Sequence, residues 1–197
     1  FEHIGLYFYR FVIYIDHHRY FLAPEYLATG GLALLYEDEK APSYQLTVHG
    51  KIEKVPEFYS EGIVYQIFVD RFANGNENGQ LLDIKPNSYI YSSWEDTPSY
   101  IKGPNGEILR WDFYGGNLKG VIDKLDYLKQ LGVTCIYLNP IFLARSCHKY
   151  DTADYSKIDS MFGDEEIFKE LIEKAKNKNM YIILDGVFSH TGSDSIY

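Results

Sequence analysis

The residues with the plainest chemical potential lie in "MYIILDGVFSH", Met180 to His190. Five largely apolar, β-prone residues end abruptly at Asp185, and His190 follows five positions later. An apolar run of this kind reads as a buried strand of a parallel α/β sheet. The end of such a strand is where loops gather to build a site, in closed barrels and open sheets alike. A carboxylate and an imidazole there are placed for chemistry or ligand contact. The plainer alternative is an Asp that caps a turn and a His that only hydrogen-bonds.

Three elements of one kind must position such groups. "IVYQIFVDRF", after Gly62, reads as a strand ending in Asp70 and Arg71; "VTCIYLNPI" is a second, broken at Asn139-Pro140; "MYIILDGVF" is the third. Between the first two, "LKGVIDKLDYLKQLG" places Leu118, Val121, Ile122, Leu125, Leu128 and Leu131 at helical spacing, with Gly132 as the stop. "DEEIFKELIEKAKNKN" is an amphipathic helix with its acids first and its lysines last, complementing the helix dipole. The order strand, helix, strand, helix, strand implies parallel, right-handed connections. Asp70, Asn139 and Asp185 then share the carboxyl side with the two long loops, 73–116 and 141 to about 163. That is the functional face of a (β/α) barrel. A whole barrel needs about 250 residues, so residues 62–197 correspond to three of eight units. The chain opens at Phe1 without Met and stops at Tyr197, and is expected to be a fragment. An open doubly wound sheet is the alternative, but no Gly-rich phosphate fingerprint follows any strand.

Residues 1–50 read as β structure. "LYFYRFVIYI" is one strand pattern and "SYQLTV" another after the Pro42 break, with turns at Asp16-His17-His18 and Gly30-Gly31. Two or three strands make a poor sandwich alone, so this segment is expected to be the later part of an all-β sandwich module. Residues 51–61 read as a polar linker around Pro56. The expected fold class is therefore α/β: the first part of a TIM (β/α)8 barrel over 62–197, preceded by a partial sandwich.

A net charge of −9 argues against a nucleic-acid backbone as partner, and no apolar run approaches the roughly 20 residues of a membrane-spanning helix. Tyrosine alone accounts for 19 residues. Flat rings with a polar rim suit the apolar faces of sugars, although strands and edges explain most of them. Cys135 and Cys147 form no CxxC or zinc pattern and read as free thiols, which favours the cytoplasm over secretion.

Four segments carry a resemblance. "GIVYQIFVDRFANGN", "FYGGNLKGVIDKLDYLKQLGVTCIYLNPIF", "HKYDTADY" and "ILDGVFSH" resemble the α-amylase family, glycoside hydrolase family 13, and most of all its neopullulanase and cyclomaltodextrinase branch. The likeness runs from about residue 55 to 197, in the family's order and spacing. It implies that Asp185 is the supporting carboxylate near the reacting sugar, that His190 hydrogen-bonds that sugar's hydroxymethyl group, that Tyr150 stacks on the same ring and that His148 lines its edge. A distorted ring held in this way favours an oxocarbenium-like transition state. Tyr150 as a loop anchor is the plain alternative. The predicted geometry has Tyr150, Asp185 and His190 converging at the carboxyl end of the sheet, with strands 62–71 and 180–185 parallel and 133–139 beside the first.

"ANGN" and "GGN" resemble the branch's calcium loop, so Asn74, Asn76, Gly115 and Asn117 would supply oxygens to calcium. The family often has Asp where Asn76 and Asn117 stand, and the lost charge weakens such a site. Ser189 stands where many relatives carry an Asn ligand to a separate calcium. Glycoside hydrolysis needs two carboxylates; the family's nucleophile lies in a G-x-R-x-D pattern that occurs nowhere here, and its acid/base Glu comes later still. No catalytic residue is therefore assigned, and Asp70, Asp151 and Asp154 are not promoted to the role. The resemblance implies a retaining glycoside hydrolase of α-1,4-glucans (starch, pullulan, cyclodextrin or maltooligosaccharides), with the present chain inactive by itself and the parent a homodimer through its N-terminal module. A non-catalytic α-glucan-binding protein and an amylase-like glucanotransferase stay open.

Overall fold

The computed structural model of the chain describes residues 3–26, 32–51 and 53–197. Contacts fall into two units, residues 1–54 and 55–197.

The first unit holds β1 (Gly5–Tyr9), β2 (Phe11–Ile15), β3 (His18–Pro24), β4 (Ala33–Tyr36) and β5 (Tyr44–Val48). β1 pairs antiparallel with β5, and β2, β3 and β4 form a second antiparallel sheet in that order. Asp16 and His17 join β2 to β3 with φ of 49° and 67°. Two successive left-handed residues match the twist of the flanking strands and close a tight hairpin. The reading of "LYFYRFVIYI" as one strand is corrected: it breaks at Arg10, and its halves enter different sheets. Arg10 donates to the Ala41 carbonyl at 3.0 Å and lies 4.5 Å over the Phe21 ring. The chain changes sheet at the residue whose side chain reaches a separate partner. Phe21, Ala23 and Ala41, with Tyr36 against them, make a small core. The turn expected at Gly30-Gly31 lies outside the described residues.

The second unit begins with a helical turn, α1 (Glu57–Ser60), inside the stretch read as linker. Thr134 Oγ1 donates to the Phe58 carbonyl at 2.7 Å, and the Phe58 ring stacks on Tyr181 at 4.0 Å. The sheet itself is β6 (Ile63–Ile67), β9 (Val133–Leu138) and β12 (Tyr181–Leu184), all parallel, with β9 in the middle. This is the arrangement the three apolar runs predict. The crossover from β6 to β9 contains α2 (Leu118–Asp123) and α3 (Leu125–Gln130), and that from β9 to β12 contains α4 (Glu165–Asn177). One continuous helix was expected over 118–131; the helical turns instead break at Lys124, whose φ and ψ are −96° and 3°. Gly132 stops the segment as expected, in the left-handed region at φ 82°.

The helices bury one stripe each. Leu118, Val121, Leu125 and Leu128 meet Ile67, Ile136 and Leu138 from the sheet and Leu171 and Ala175 from α4. Each large side chain so buried contributes roughly 1.5–3 kcal/mol relative to an exposed one. Both long loops contain short strands that the sequence pattern does not reveal. β7 (Ser88–Ile90) pairs parallel with β8 (Trp111–Phe113). β10 (Phe142–Ala144) pairs antiparallel with β11 (Thr152–Ile158), with register shifts on both sides of Leu143. Those irregularities break the period-2 pattern by which a strand is recognised.

At the start of α4, the Asp164 side chain accepts from the Ile167 amide at 2.9 Å. Asp164→Ala is expected to cost about 1 kcal/mol and to lower the calorimetric melting temperature by about 2–4 °C.

Candidate functional site

Side chains alternate across a strand, so Tyr137, Asn139, Ile183 and Asp185 share the face opposite the helices. Gln66, opposite Tyr137 in the ladder, joins them. The Asp185 amide donates to the Leu138 carbonyl and the Asn139 amide to that of Ile67, each at 3.0 Å, so both polar strand ends are fixed by the ladder. Gln66 Nε2 donates to Asn139 Oδ1 at 2.8 Å. Tyr150 reaches this end from the loop between β10 and β11, and its hydroxyl donates to Asp185 Oδ2 at 2.7 Å. That bond, then burial and the charge of Asp185, push the Tyr150 hydroxyl up to about 12. Tyr137 is raised as well, first by burial and then by Asp185. Asp185 thus faces two phenols that stay protonated and donate.

His148 stands beside them, its ring 5.9 Å from that of Tyr150 and edge-on to Trp111 at 5.2 Å. The Tyr150 amide donates to His148 Nδ1 at 3.1 Å. Burial pushes the imidazole below its ordinary pKa, with Asp151 opposing and Lys149 assisting. The ring is therefore neutral near pH 7 with its proton on Nε2, a single donor on the ring edge.

The loop that presents His148 and Tyr150 is anchored by Lys149, which the sequence reading passed over. Lys149 is fully buried and in the left-handed region at φ 63°, a conformation that costs of order 1 kcal/mol for a non-glycine. Its ammonium lies 2.8 Å from Asp159 Oδ2 and over the rings of Phe162 (4.8 Å) and Phe113 (5.3 Å). Asp159 also takes the Lys85 ammonium, the Ala144 amide at 3.2 Å and the Met161 amide at 3.1 Å. The partners shift by different balances. Burial lowers Lys149 to about 8, because Asp159 only partly offsets it and Lys85 repels. Burial alone would raise Asp159, but two cations outweigh it and hold the carboxyl below its ordinary value.

Asp70 plays a matching part for the other loop. Its buried carboxylate accepts from Arg71 Nε at 2.8 Å and from the amides of Tyr114 and Gly115 at 3.1 Å. A Cβ on Gly116 would lie 2.0 Å from the Val69 carbonyl, so only glycine lets the two segments meet.

Not every expected residue joins the site. His190 is exposed, shares a hydrogen bond with Ser189 at 3.1 Å and lines a separate hollow with Tyr155, Phe188 and Tyr197. Among the described residues, no hydrogen bond or ring contact joins it to Tyr150 or Asp185. The four residues expected to hold calcium do come together, but the side-chain oxygens of Asn74 and Asn117 are already engaged by amide donors. Asn117 Oδ1 accepts from the amides of Gly120 (2.8 Å) and Gly75 (3.1 Å), and its Nδ2 donates to Asn74 Oδ1 at 2.8 Å. Asn74 Oδ1 also takes the Asn76 amide, and Asn76 Nδ2 donates to the Gln80 carbonyl, both at 2.9 Å. The side-chain oxygens of Asn74 and Asn117 are occupied, no carboxylate belongs to the set, and it fits a hard divalent cation poorly. Among the described residues no cluster of three or more His, Cys, Asp or Glu could hold a metal. Cys135 and Cys147 are buried and unpaired, and among the described residues no helix is long and apolar enough to cross a membrane.

Breaking the anchor is expected to be costly. Asp159→Asn should destabilise the second unit by about 3–5 kcal/mol, leaving two cations without their anion. In the wild type the unfolded Asp159 carboxyl takes up a proton before the folded one does, so its contribution is present above pH ~4 and drains away as pH falls further. Denaturant titrations at pH 7 and pH 3 should show a smaller loss on acidification in the variant; equal losses would contradict this account.

Residues 66–197 match the model of the alpha-amylase catalytic domain. The amylopullulanase of Thermoanaerobacter thermohydrosulfuricus is 45% identical over 171 residues, covering 81% of this chain and 12% of that protein. The cyclomaltodextrinase of Thermoanaerobacter pseudethanolicus is 43% identical over 139 residues, covering 71% of this chain and 21% of the relative. Among solved structures, the type III pullulan hydrolase from Thermococcus kodakarensis superposes with a TM-score of 0.59 at 34% identity, covering 90% of this chain and 31% of that one. The chain thus spans between about an eighth and a third of these relatives. The match of residues 66–197, which takes in the end of β6, all of β9 and β12 and the polar cluster at their ends, makes this chain a member of the α-amylase family.

Proposed function

We propose that this chain supplies a sugar-binding portion of the catalytic domain of a glycoside hydrolase that cleaves α-1,4-glucans with retention of configuration. The observation that carries the reading is the Tyr150–Asp185 pair at the carboxyl end of a parallel sheet, with the neutral His148 beside it. The names of the relatives, amylopullulanase, cyclomaltodextrinase and pullulan hydrolase, support an α-glucan as the substrate class.

In this reading Tyr150 offers its ring as a platform while its hydroxyl fixes Asp185. Asp185 accepts hydrogen bonds from sugar hydroxyls on the side its phenols leave free, and His148 Nε2 donates to another. Such contacts help distort a ring towards the oxocarbenium-like transition state. The role assigned to His190, a hydrogen bond to the hydroxymethyl group, requires residues 186–190 to close towards Tyr150. No G-x-R-x-D pattern occurs in the 197 residues, so the nucleophile and the acid/base are assigned to further parts of a parent enzyme, whose remaining strands would complete a (β/α)8 barrel.

The purified chain is expected to bind maltohexaose and to hydrolyse neither it nor pullulan; turnover that persists through repurification would overturn the second half. Tyr150→Ala and Asp185→Asn should each weaken binding by about tenfold or more, as for the loss of a hydrogen bond to a charged group. Unchanged affinity in both would end the assignment. Calcium is the secondary reading, and the self-paired amides argue against a strong site. Chelation is accordingly expected to leave the thermal transition unmoved, whereas a calcium-dependent rise of several degrees would restore the ion to the loop.

A further inference from the structure

We infer that the hollow beside Trp94 is a second contact site for a neutral α-glucan chain, separate from the cluster around Tyr150 and Asp185. The inference rests on the α-glucan reading above for its ligand, and on a different set of residues for its location.

The hollow has a volume of about 310 Å3 and is lined by Trp94, Tyr91, Tyr114, Ser92, Asn74 and Asn78 among others, none of them charged. The larger hollow near Trp111, about 500 Å3, is lined instead by Lys85, Arg145, Asp154, Lys157 and Asp194. An ionic ligand would find a counter-charge in the second and none in the first. Flat rings together with neutral amides and hydroxyls match the apolar faces and hydroxyl rims of a sugar.

The platform is rigid where it must be and open where it must be. Tyr91 stacks on Tyr114 with centroids 4.6 Å apart, and Arg71 caps Tyr114 at 4.3 Å. The Tyr91 hydroxyl is tied to Asp112 Oδ2 at 3.0 Å, and that of Tyr114 donates to the Asp96 carbonyl. Trp94 continues the row 6.0 Å from Tyr114 but stays 48% exposed. A half-exposed indole beside a fixed aromatic pair is free to take a ring on its open face. Ser92 Oγ and the Asn78 amide make no hydrogen bond within the described chain, which leaves one hydroxyl and one amide for ligand hydroxyls. The volume lies at the small end of ligand pockets and suits a short stretch of a longer chain.

Trp94 and Trp111 are the two tryptophans of the sequence, so emission can assign the contact. In Trp111→Phe, titration with maltohexaose should give a saturable change in Trp94 emission. Trp94→Ala should weaken that site by roughly three- to tenfold in calorimetry, the worth of one aromatic stack. Ser92→Ala, on an exposed hydroxyl, is a second variant that should also weaken it and that leaves the fold intact. Tyr150→Ala should leave the Trp94 signal in place. A folded Trp111→Phe protein whose emission ignores the sugar overturns the inference, as does unaltered affinity in both Trp94→Ala and Ser92→Ala. If Tyr150→Ala leaves all binding unchanged while Trp94 still responds, the Tyr150 assignment falls and the Trp94 site stands.

Discussion

The pairing of a buried ammonium with a buried carboxylate, Lys149 with Asp159, is the constraint from which the presentation of the site follows. Neither group touches water, and the desolvation of each is severe unless the other is present with further hydrogen bonds. The surroundings supply those bonds through the amides of Ala144 and Met161, the Lys85 ammonium and two aromatic faces. With the Lys149 side chain drawn inwards and its backbone held left-handed, its neighbours His148 and Tyr150 are delivered to the open end of the sheet. The loop between β10 and β11 is thus specified by a cost: losing Asp159 would leave the Lys149 ammonium stranded in the core.

The sheet contributes the complementary constraint. Parallel pairing sets Asp185 and Asn139 at one level through backbone hydrogen bonds, so the carboxylate that Tyr150 meets is positioned by the ladder and not by its own loop. Asp70 and Gly116 do for the 114–117 segment what Lys149 and Asp159 do for 144–151. A buried anion gathers backbone amides, and a missing Cβ lets two chains approach closely. In both places charge is used to shape loops, and the neutral groups are left facing outwards.

The parallel sheet, its helices and the Asp185 end were legible in the sequence because they rest on local signals: apolar runs, helical spacing, and a polar residue after a strand. The break at Lys124 was not, since the apolar spacing continues through it. The split of the first strand at Arg10 was hidden for the same reason, its apolar pattern being unbroken while its partners change. Tyr137 was hidden inside "VTCIYL" as one more strand former. Its place two residues before Asn139, on the same face, was the signal that strand parity offered. Lys149 was hidden because a lysine in a polar loop reads as solvated, and only its distant partner at 159 makes burial tolerable. His190 shows the reverse: sequence proximity to Asp185 suggested a shared site, but five residues of irregular chain carry its side chain to another hollow.

The order of strands across the sheet also has a bearing on how the site comes into being. β6, β9 and β12 are neighbours in space in the order in which they are made, so each strand docks on one already synthesised and the sheet extends in one direction. The paired strands are far apart along the chain, Ile63–Ile67 with Val133–Leu138 and Val133–Leu138 with Tyr181–Leu184, so each docking step closes a long crossover and is slow, while growth in one direction suits vectorial synthesis. Asp185 is added by the last of the three strands, after the loop carrying Tyr150 has emerged and could already have closed on Lys149 and Asp159. The platform can therefore be in place before the carboxylate arrives, and the docking of β12 is the event that completes the pair.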